Sequence, residues 1–193
     1  MRAGPPYHAG VHERPAGSTS WCGLDDAVKL AHLTAARDRH VARARAGRPD
    51  EPAPGAVHVI DGRDFDDLLG FFCAMGEAIN GPGGYFGLSL RAFDDCLFGG
   101  FGLIGPCTLR WRHVARSREH LGAAALIAHY EPMLAEIPAG PEFDEGREAI
   151  GAALARARRG EWTLFDEVLE TITSVAQRHL AHPAWVITVV LEA

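Results

Sequence analysis

Apolar residues recur along the chain in two patterns, which together predict an α/β fold. Three runs rich in β-branched and other apolar residues, at positions 56–60, 106–111 and 184–191, predict strands. Apolar residues at helical spacing lie between them, most clearly at positions 65–76 and 163–180. Strands that alternate with helices pair in parallel through crossover connections. The pattern therefore predicts a parallel sheet packed by α-helices.

Local signals place the ends of the first elements of this fold. The Asp61-Gly62 pair predicts a turn after the first strand, and Asp64 is predicted to cap the helix that follows. The glycine-rich residues 81–84 end that helix. Residues 90–97 predict a second, short helix, with its apolar side chains pointing inward.

Two further segments extend this pattern. A helix is predicted at positions 24–46, with charges that suit its dipole and these apolar residues at three- and four-residue spacing: Leu24, Ala27, Val28, Ala31 and Ala35. Residues 121–160 predict two more helices, broken at 138–141. We therefore divide the chain into a disordered tail (1–23), a helix with a proline-rich linker (24–55) and a main domain (56–193) with a helical insertion at about 121–160.

Charge narrows the class of partner. The net charge is -6, but residues 1–55 contain 8 basic and 6 acidic residues, whereas residues 56–193 contain 11 and 19. An acidic main domain disfavours nucleic acid and favours a basic protein partner. No apolar stretch approaches the roughly 20 residues of a membrane-spanning helix. The N-terminus lacks a signal-like apolar segment, so we expect a cytoplasmic protein.

Residues that commonly bind metals are present, but their spacing does not predict a metal site. Cys22, Cys73, Cys96 and Cys107 form no C-x-x-C pair, which excludes a zinc ribbon or a redox motif and favours buried free thiols. The ten histidines show no H-E-x-x-H spacing. We predict neither a metal nor a cofactor.

Two patterns could suggest an enzyme. The glycines between positions 81 and 87 resemble a phosphate loop only in composition, since a helix precedes them and no lysine follows; a tight loop presenting Tyr85 is the better interpretation. Asp94 and Asp95 could act as acid and base in a hydrolase, but neighbouring helical residues point about 100° apart. No G-x-S-x-G motif is present. We therefore predict that the chain is not an enzyme.

The run at residues 84–97 resembles the signature of the barstar family, in which a Tyr-aromatic-Gly loop leads into a short acidic helix. Segments matching the family's strands follow the same order, at 59–62, 109–112 and 187–191. The resemblance implies a barstar-like three-stranded parallel β-sheet packed by α-helices. The N-terminal helix and the insertion at 121–160 would be additions to it.

The resemblance also implies a function: an inhibitor or immunity protein that binds and occludes the active site of a basic ribonuclease or toxin nuclease. In the family an acidic side chain on the short helix stands in for substrate phosphate, and Asp95 matches it. Tyr85 matches the loop tyrosine, and Gly99 matches the point where the chain leaves the helix. Ser89 and Asp94 complete the predicted partner-binding set. An anion held ready for a cationic cleft speeds association and pairs inside the interface.

Several positions depart from the family pattern. Ser89 replaces the usual asparagine, Arg91 replaces an aspartate and Asp94 replaces an aromatic residue. Arg91 would direct a cation towards a basic partner. These changes predict a nuclease other than barnase itself as the target. They also motivate an alternative, a barstar-fold interaction or regulatory module that no longer inhibits a nuclease.

Overall fold

A computed structural model describes residues 20–47, 54–179 and 185–193. Most of the tail and linker predicted from the sequence lies outside the described residues. The described elements, in chain order, are α1 (Asp26–Arg45), β1 (Val57–Asp61), α2 (Leu68–Asn80), α3 (Leu90–Cys96), β2 (Cys107–Arg112), α4 (Val114–His120), α5 (Ala123–Glu136), α6 (Pro141–Arg158), α7 (Leu164–Thr173), α8 (Val175–Arg178) and β3 (Ile187–Leu191).

The three strands form one parallel sheet in the order β1-β2-β3, which confirms the predicted fold class. Trp111 of β2 lies opposite Ile60 on one side and Leu191 on the other. Buried and half-buried residues alternate along β2, so one face of the sheet packs against the helices more completely than the other.

An aromatic cluster joins the sheet to α2, α3 and α7. The Trp111 ring stacks on Phe71 with 5.5 Å between centroids and lies 4.9 Å from Phe165. Phe71 also meets Phe93 of α3 edge to face at 5.4 Å. All four side chains are buried. Burial of this much aromatic surface stabilises the core and fixes α3 against the sheet.

Two predicted helix ends need correction. Asp67, and not Asp64, caps α2, because its carboxylate accepts the Gly70 amide at 2.7 Å. Asp64 instead belongs to the turn after β1, where its amide donates to the Asp61 carbonyl at 3.0 Å. The helix predicted at 163–180 is two helices that meet at Ser174, and residue 180 lies outside the described part of the chain.

The predicted helix near the N-terminus is α1, but its predicted inward face is wrong. Val28 is 50% exposed, whereas Lys29 and Leu33 are buried. The sequence pattern failed because it treated Lys29 as polar and therefore outward. Its ammonium group pairs with Asp66 and Asp67, which makes burial of the cation tolerable.

The two helices predicted between residues 121 and 160 are α5 and α6, which pack against each other. Glu167 of α7 accepts hydrogen bonds from the Tyr130 hydroxyl of α5 at 3.0 Å and from the Trp162 indole at 2.7 Å. Leu126 and Leu154 are buried in the same core as the sheet. The insertion is therefore packed on the core. The short α4 before it was not predicted.

All four cysteines are free, as predicted, and three are buried, while Cys22 is half-buried. Burial raises the pKa of Cys73 and Cys96 to about 12 and that of Cys107 to about 11. No group of histidine, cysteine and carboxylate side chains suited to a metal occurs among the described residues. No described helix is long and apolar enough to cross a membrane.

Candidate partner-binding surface

The loop between α2 and α3 folds back closely on α2. Gly76 and Gly84 approach so tightly that a Cβ on either would collide with the carbonyl oxygen of the other. Asn80 joins this loop to the chain that follows α3, since its amide nitrogen donates to the Tyr85 carbonyl at 2.8 Å and to the Phe101 carbonyl at 2.9 Å. The segments before and after α3 are thus held together at one point.

Ser89 begins α3. Its backbone is extended and its hydroxyl accepts the Ala92 amide at 3.2 Å, which is the N-cap arrangement. Serine therefore suits this position because it caps the helix, independently of any partner. A contact between Ser89 and a partner stays a prediction.

The two neighbouring acids of α3 have different surroundings. Arg178 of α8 donates to both carboxylate oxygens of Asp94, at 2.6 and 2.9 Å, and to the Thr171 carbonyl at 2.9 Å. This ion pair fastens α3 to the end of α7 and largely neutralises Asp94. Asp95 is exposed, and no described residue pairs with its carboxylate.

Arg91 precedes Asp95 by four residues on α3, so both lie on the same face of the helix. Arg91 is exposed, and no ion pair joins it to Asp95 in the described structure. A partner that contacts Asp95 along this face therefore also meets the Arg91 guanidinium.

Tyr85 is not presented to solvent as the sequence suggested. Its side chain is 6% exposed, and its ring lies 6.1 Å from His40 of α1 and 6.2 Å from Phe101. Burial raises the pKa of the Tyr85 hydroxyl. The tight loop exists, but α1 covers the tyrosine that the loop was expected to expose.

The family model for barstar (barnase inhibitor) matches residues 55–137. This part of the chain is similar to the barstar family. The match includes the loop after α2 and all of α3, and therefore all five predicted partner-binding residues. Members of this family are protein inhibitors of barnase-type ribonucleases and not enzymes. No curated protein and no solved structure matches the chain.

Two of the three strands lie within the residues that match the family model. The third, β3, follows the insertion and pairs in parallel with β2. The predicted sheet is therefore completed by residues beyond the family match.

Gly99 lies where the chain leaves α3. Its φ is +102°, which favours glycine, and a Cβ there would lie 3.1 Å from the Trp185 ring. The Trp185 indole donates to the Leu97 carbonyl at 3.0 Å, which satisfies a carbonyl at the end of the helix. Trp185 thus supports the end of α3, a role that sequence reasoning missed.

Arg178 and His40 were also missed as neighbours of the predicted surface. Arg178 follows Asp94 by 84 residues, and His40 precedes Tyr85 by 45, so no local sequence pattern connects either residue to the predicted surface. Asn80 had a local signal, because it directly precedes the glycine-rich run that the sequence marked as a turn.

Proposed function

We propose that this protein inhibits a basic ribonuclease or toxin nuclease by inserting Asp95 into its active-site cleft. The observation that carries the proposal is the exposed Asp95 carboxylate on a helix that is fixed at both ends, without a described cation to pair with it. A carboxylate with free lone pairs can accept hydrogen bonds from the arginine, lysine or histidine side chains that bind substrate phosphate.

The supports of α3 favour tight binding. The Ser89 cap, the pair between Asp94 and Arg178, and the Trp185 hydrogen bond restrict the helix before any partner arrives. Less conformational entropy is then lost on association. Because Arg178 already neutralises Asp94, Asp95 is the carboxylate of α3 that remains available to the partner.

The test is inhibition of a barnase-type ribonuclease by the purified full chain, assayed as RNA cleavage and by titration calorimetry. We expect one-to-one binding, and Asp95→Ala should raise Kd by about 30-fold to several thousand-fold, a range equal to about 2–5 kcal/mol. The energy range of about 2–5 kcal/mol is typical of truncating one partner of a buried charge pair at an interface, for which the barnase–barstar complex is the reference case.

The control is Glu148→Ala, which removes an exposed carboxylate from α6 in the insertion. It should leave Kd within about twofold of the parent. If Asp95→Ala binds as tightly as the parent, Asp95 does not occupy the cleft and the proposed site is wrong.

Arg91 supports a second candidate, a barstar-fold regulatory module without nuclease inhibition. An exposed cation one helical turn before Asp95 opposes a basic cleft. If affinity capture yields a protein that is not a nuclease, and RNA cleavage proceeds unchanged at saturating amounts of the chain, this second function replaces the first.

A further inference from the structure

Helix α1 is held firmly against the start of α2. The buried Lys29 ammonium pairs with Asp66 and Asp67, and the Trp21 amide, just before α1, donates to the Asp64 carbonyl at 2.7 Å. Separating α1 from α2 would leave a buried charge without partners. Helix α1 is therefore a fixed element from which other parts of the chain can be held.

The inward row of α1 continues to the segments that flank α3. Its buried residues Lys29, Leu33 and Ala36 are spaced by four and three positions. His40 follows after four more and is half-buried. The His40 ring stacks on Phe101, with 4.9 Å between centroids and 16° between the ring planes, a favourable geometry for two aromatic groups. His40 therefore joins α1 to the segment after α3.

Tyr85 completes a cluster of three rings at this end of α1. Its ring centroid lies 6.1 Å from that of His40 and 6.2 Å from that of Phe101. Tyr85 belongs to the loop before α3, and Phe101 belongs to the segment after it. The three rings thus connect α1 to both segments that flank α3.

Arg39 makes a second contact with the loop before α3. Its guanidinium donates a charge-assisted hydrogen bond to the Gly83 carbonyl at 3.0 Å. We call Arg39 and His40 together the α1 clamp, because they hold the chain on both sides of α3. Asn80 of α2 bonds the same two segments through its amide nitrogen. Two helices, α1 and α2, therefore restrain the chain that enters and leaves α3.

We propose that the α1 clamp is a positioning element of the partner-binding surface: it holds the segments around α3 so that Asp95 meets the nuclease cleft already in place. This inference rests on the proposed function and deepens it. Segments that are ordered before binding lose less conformational entropy on association, and neither clamp residue has to touch the nuclease. The clamp lies before residues 55–137, so it belongs to an element that the family match does not include.

The test measures the binding of full-chain variants to the ribonuclease that the parent inhibits. His40→Ala and Arg39→Ala should each raise Kd about three- to tenfold, because the freed segments must be ordered on binding. Charge alone predicts the opposite for Arg39→Ala, since removing a cation favours a basic partner. His40→Phe keeps the ring stack on Phe101 and should bind within about twofold of the parent.

Matched controls on α1 separate positioning from stability. His32→Ala removes another half-buried histidine, whose ring lies 4.3 Å from that of Trp21. Arg43→Ala removes an exposed cation one turn after Arg39. Both should leave Kd within about twofold of the parent, even where His32→Ala lowers the thermal unfolding midpoint.

Two further measurements show whether the clamp acts through Asp95. In the Asp95→Ala background, His40→Ala should weaken binding less than it does in the parent, because a positioning residue acts through the group that it positions. In the chain without a partner, amide hydrogens of residues 83–88 should exchange faster in both clamp variants than in the parent.

The outcomes separate the two proposals. If Asp95→Ala weakens binding while His40→Ala and Arg39→Ala bind like the parent, the clamp does not position the surface and the proposed function stands. Additive losses in the double variant, unchanged amide exchange, or an equal loss of affinity in His32→Ala would likewise overturn the inference. If the parent inhibits no basic ribonuclease or toxin nuclease, the proposed function fails and the inference fails with it.

Discussion

At the scale of single residues, the family resemblance pointed to Asp95, but the chemistry of the two acids of α3 could not by itself distinguish them. Asp94 and Asp95 are adjacent and chemically identical, and helical geometry predicts only that they point in different directions. What distinguishes them is Arg178, which pairs with Asp94 across 84 positions of sequence. Such a contact depends on how α3 and α8 pack, and exposed arginines at helix ends are too common to signal it.

Single residues also decide how closely the loop after α2 can approach the backbone of α2. Gly76→Ala should lower the free energy of unfolding by about 1–3 kcal/mol, because its Cβ would collide with the Gly84 carbonyl oxygen and push the loop away from α2. Urea unfolding followed by circular dichroism measures the change.

Gly146→Ala is the matched control for this prediction. Gly146 lies in α6 with nothing within 4 Å of its Cβ position, so alanine should raise the free energy of unfolding by about 0.5–1 kcal/mol through helix propensity alone. Equal effects of the two substitutions would show that the approach of Gly76 to Gly84 does not constrain the loop.

At the scale of elements, periodicity predicted the three strands and most helices, because burial on one side imposes a period of two or 3.6 residues. It failed for the inward face of α1, where a lysine occupies one of the buried positions. Lys29 is buried because two carboxylates beside the start of α2 receive it, and those residues are about 40 positions away. The burial of Tyr85 was missed for the same reason, since it requires knowing where α1 lies.

The attachment of α1 gives a prediction at this scale. Lys29→Ala should lower the free energy of unfolding by about 3 kcal/mol, the lower end of the range for a buried ion pair, since Asp66 and Asp67 are about one third exposed. Urea unfolding measures this loss. In Lys29→Ala, amide hydrogens within α1 should exchange faster than those in β2.

The control is Arg45→Ala, which removes an exposed cation from the last turn of α1. It should change the free energy of unfolding by less than about 1 kcal/mol. If Lys29→Ala is no more destabilising than this control, the ion pairs do not hold α1 in place.

At the scale of the whole molecule, the segments on both sides of the family match share its core, and the predicted insertion begins inside the match, because α5 lies within residues 55–137. Helix α1 packs on α2, and the insertion packs on α7 through Glu167, so the described chain has one continuous cluster of buried side chains. The sequence predicted these helices as separate segments. It could not predict where they dock, because the polar contacts that orient them, such as those of Lys29 and Glu167, leave no periodic pattern.

A carboxylate at the edge of the sheet links this stability to pH. Asp61 ends β1, where burial alone would raise its pKa, but the Arg63 side chain and amide and the charge of His113 outweigh burial and bring the pKa below the ordinary value of 3.8. The unfolded chain therefore binds a proton more readily than the folded one. Stability from Asp61 is complete above pH 3.8 and is lost as the pH falls through the lower pKa of the folded state.

Asp61→Asn should accordingly lower the free energy of unfolding near pH 6 by about 1.5–3 kcal/mol, the usual value of hydrogen bonds to a charged group. It should also make the loss of stability below pH 4 shallower than in the parent. Urea unfolding at several pH values between 2.5 and 6 measures both effects.

Arg63→Ala should flatten the same part of the curve, because it removes the two side-chain hydrogen bonds that favour the Asp61 anion. The double variant should then lose less than the sum of the single losses, since both act on one interaction. Additive losses, or an unchanged slope in Asp61→Asn, would contradict the coupling of Asp61 and Arg63.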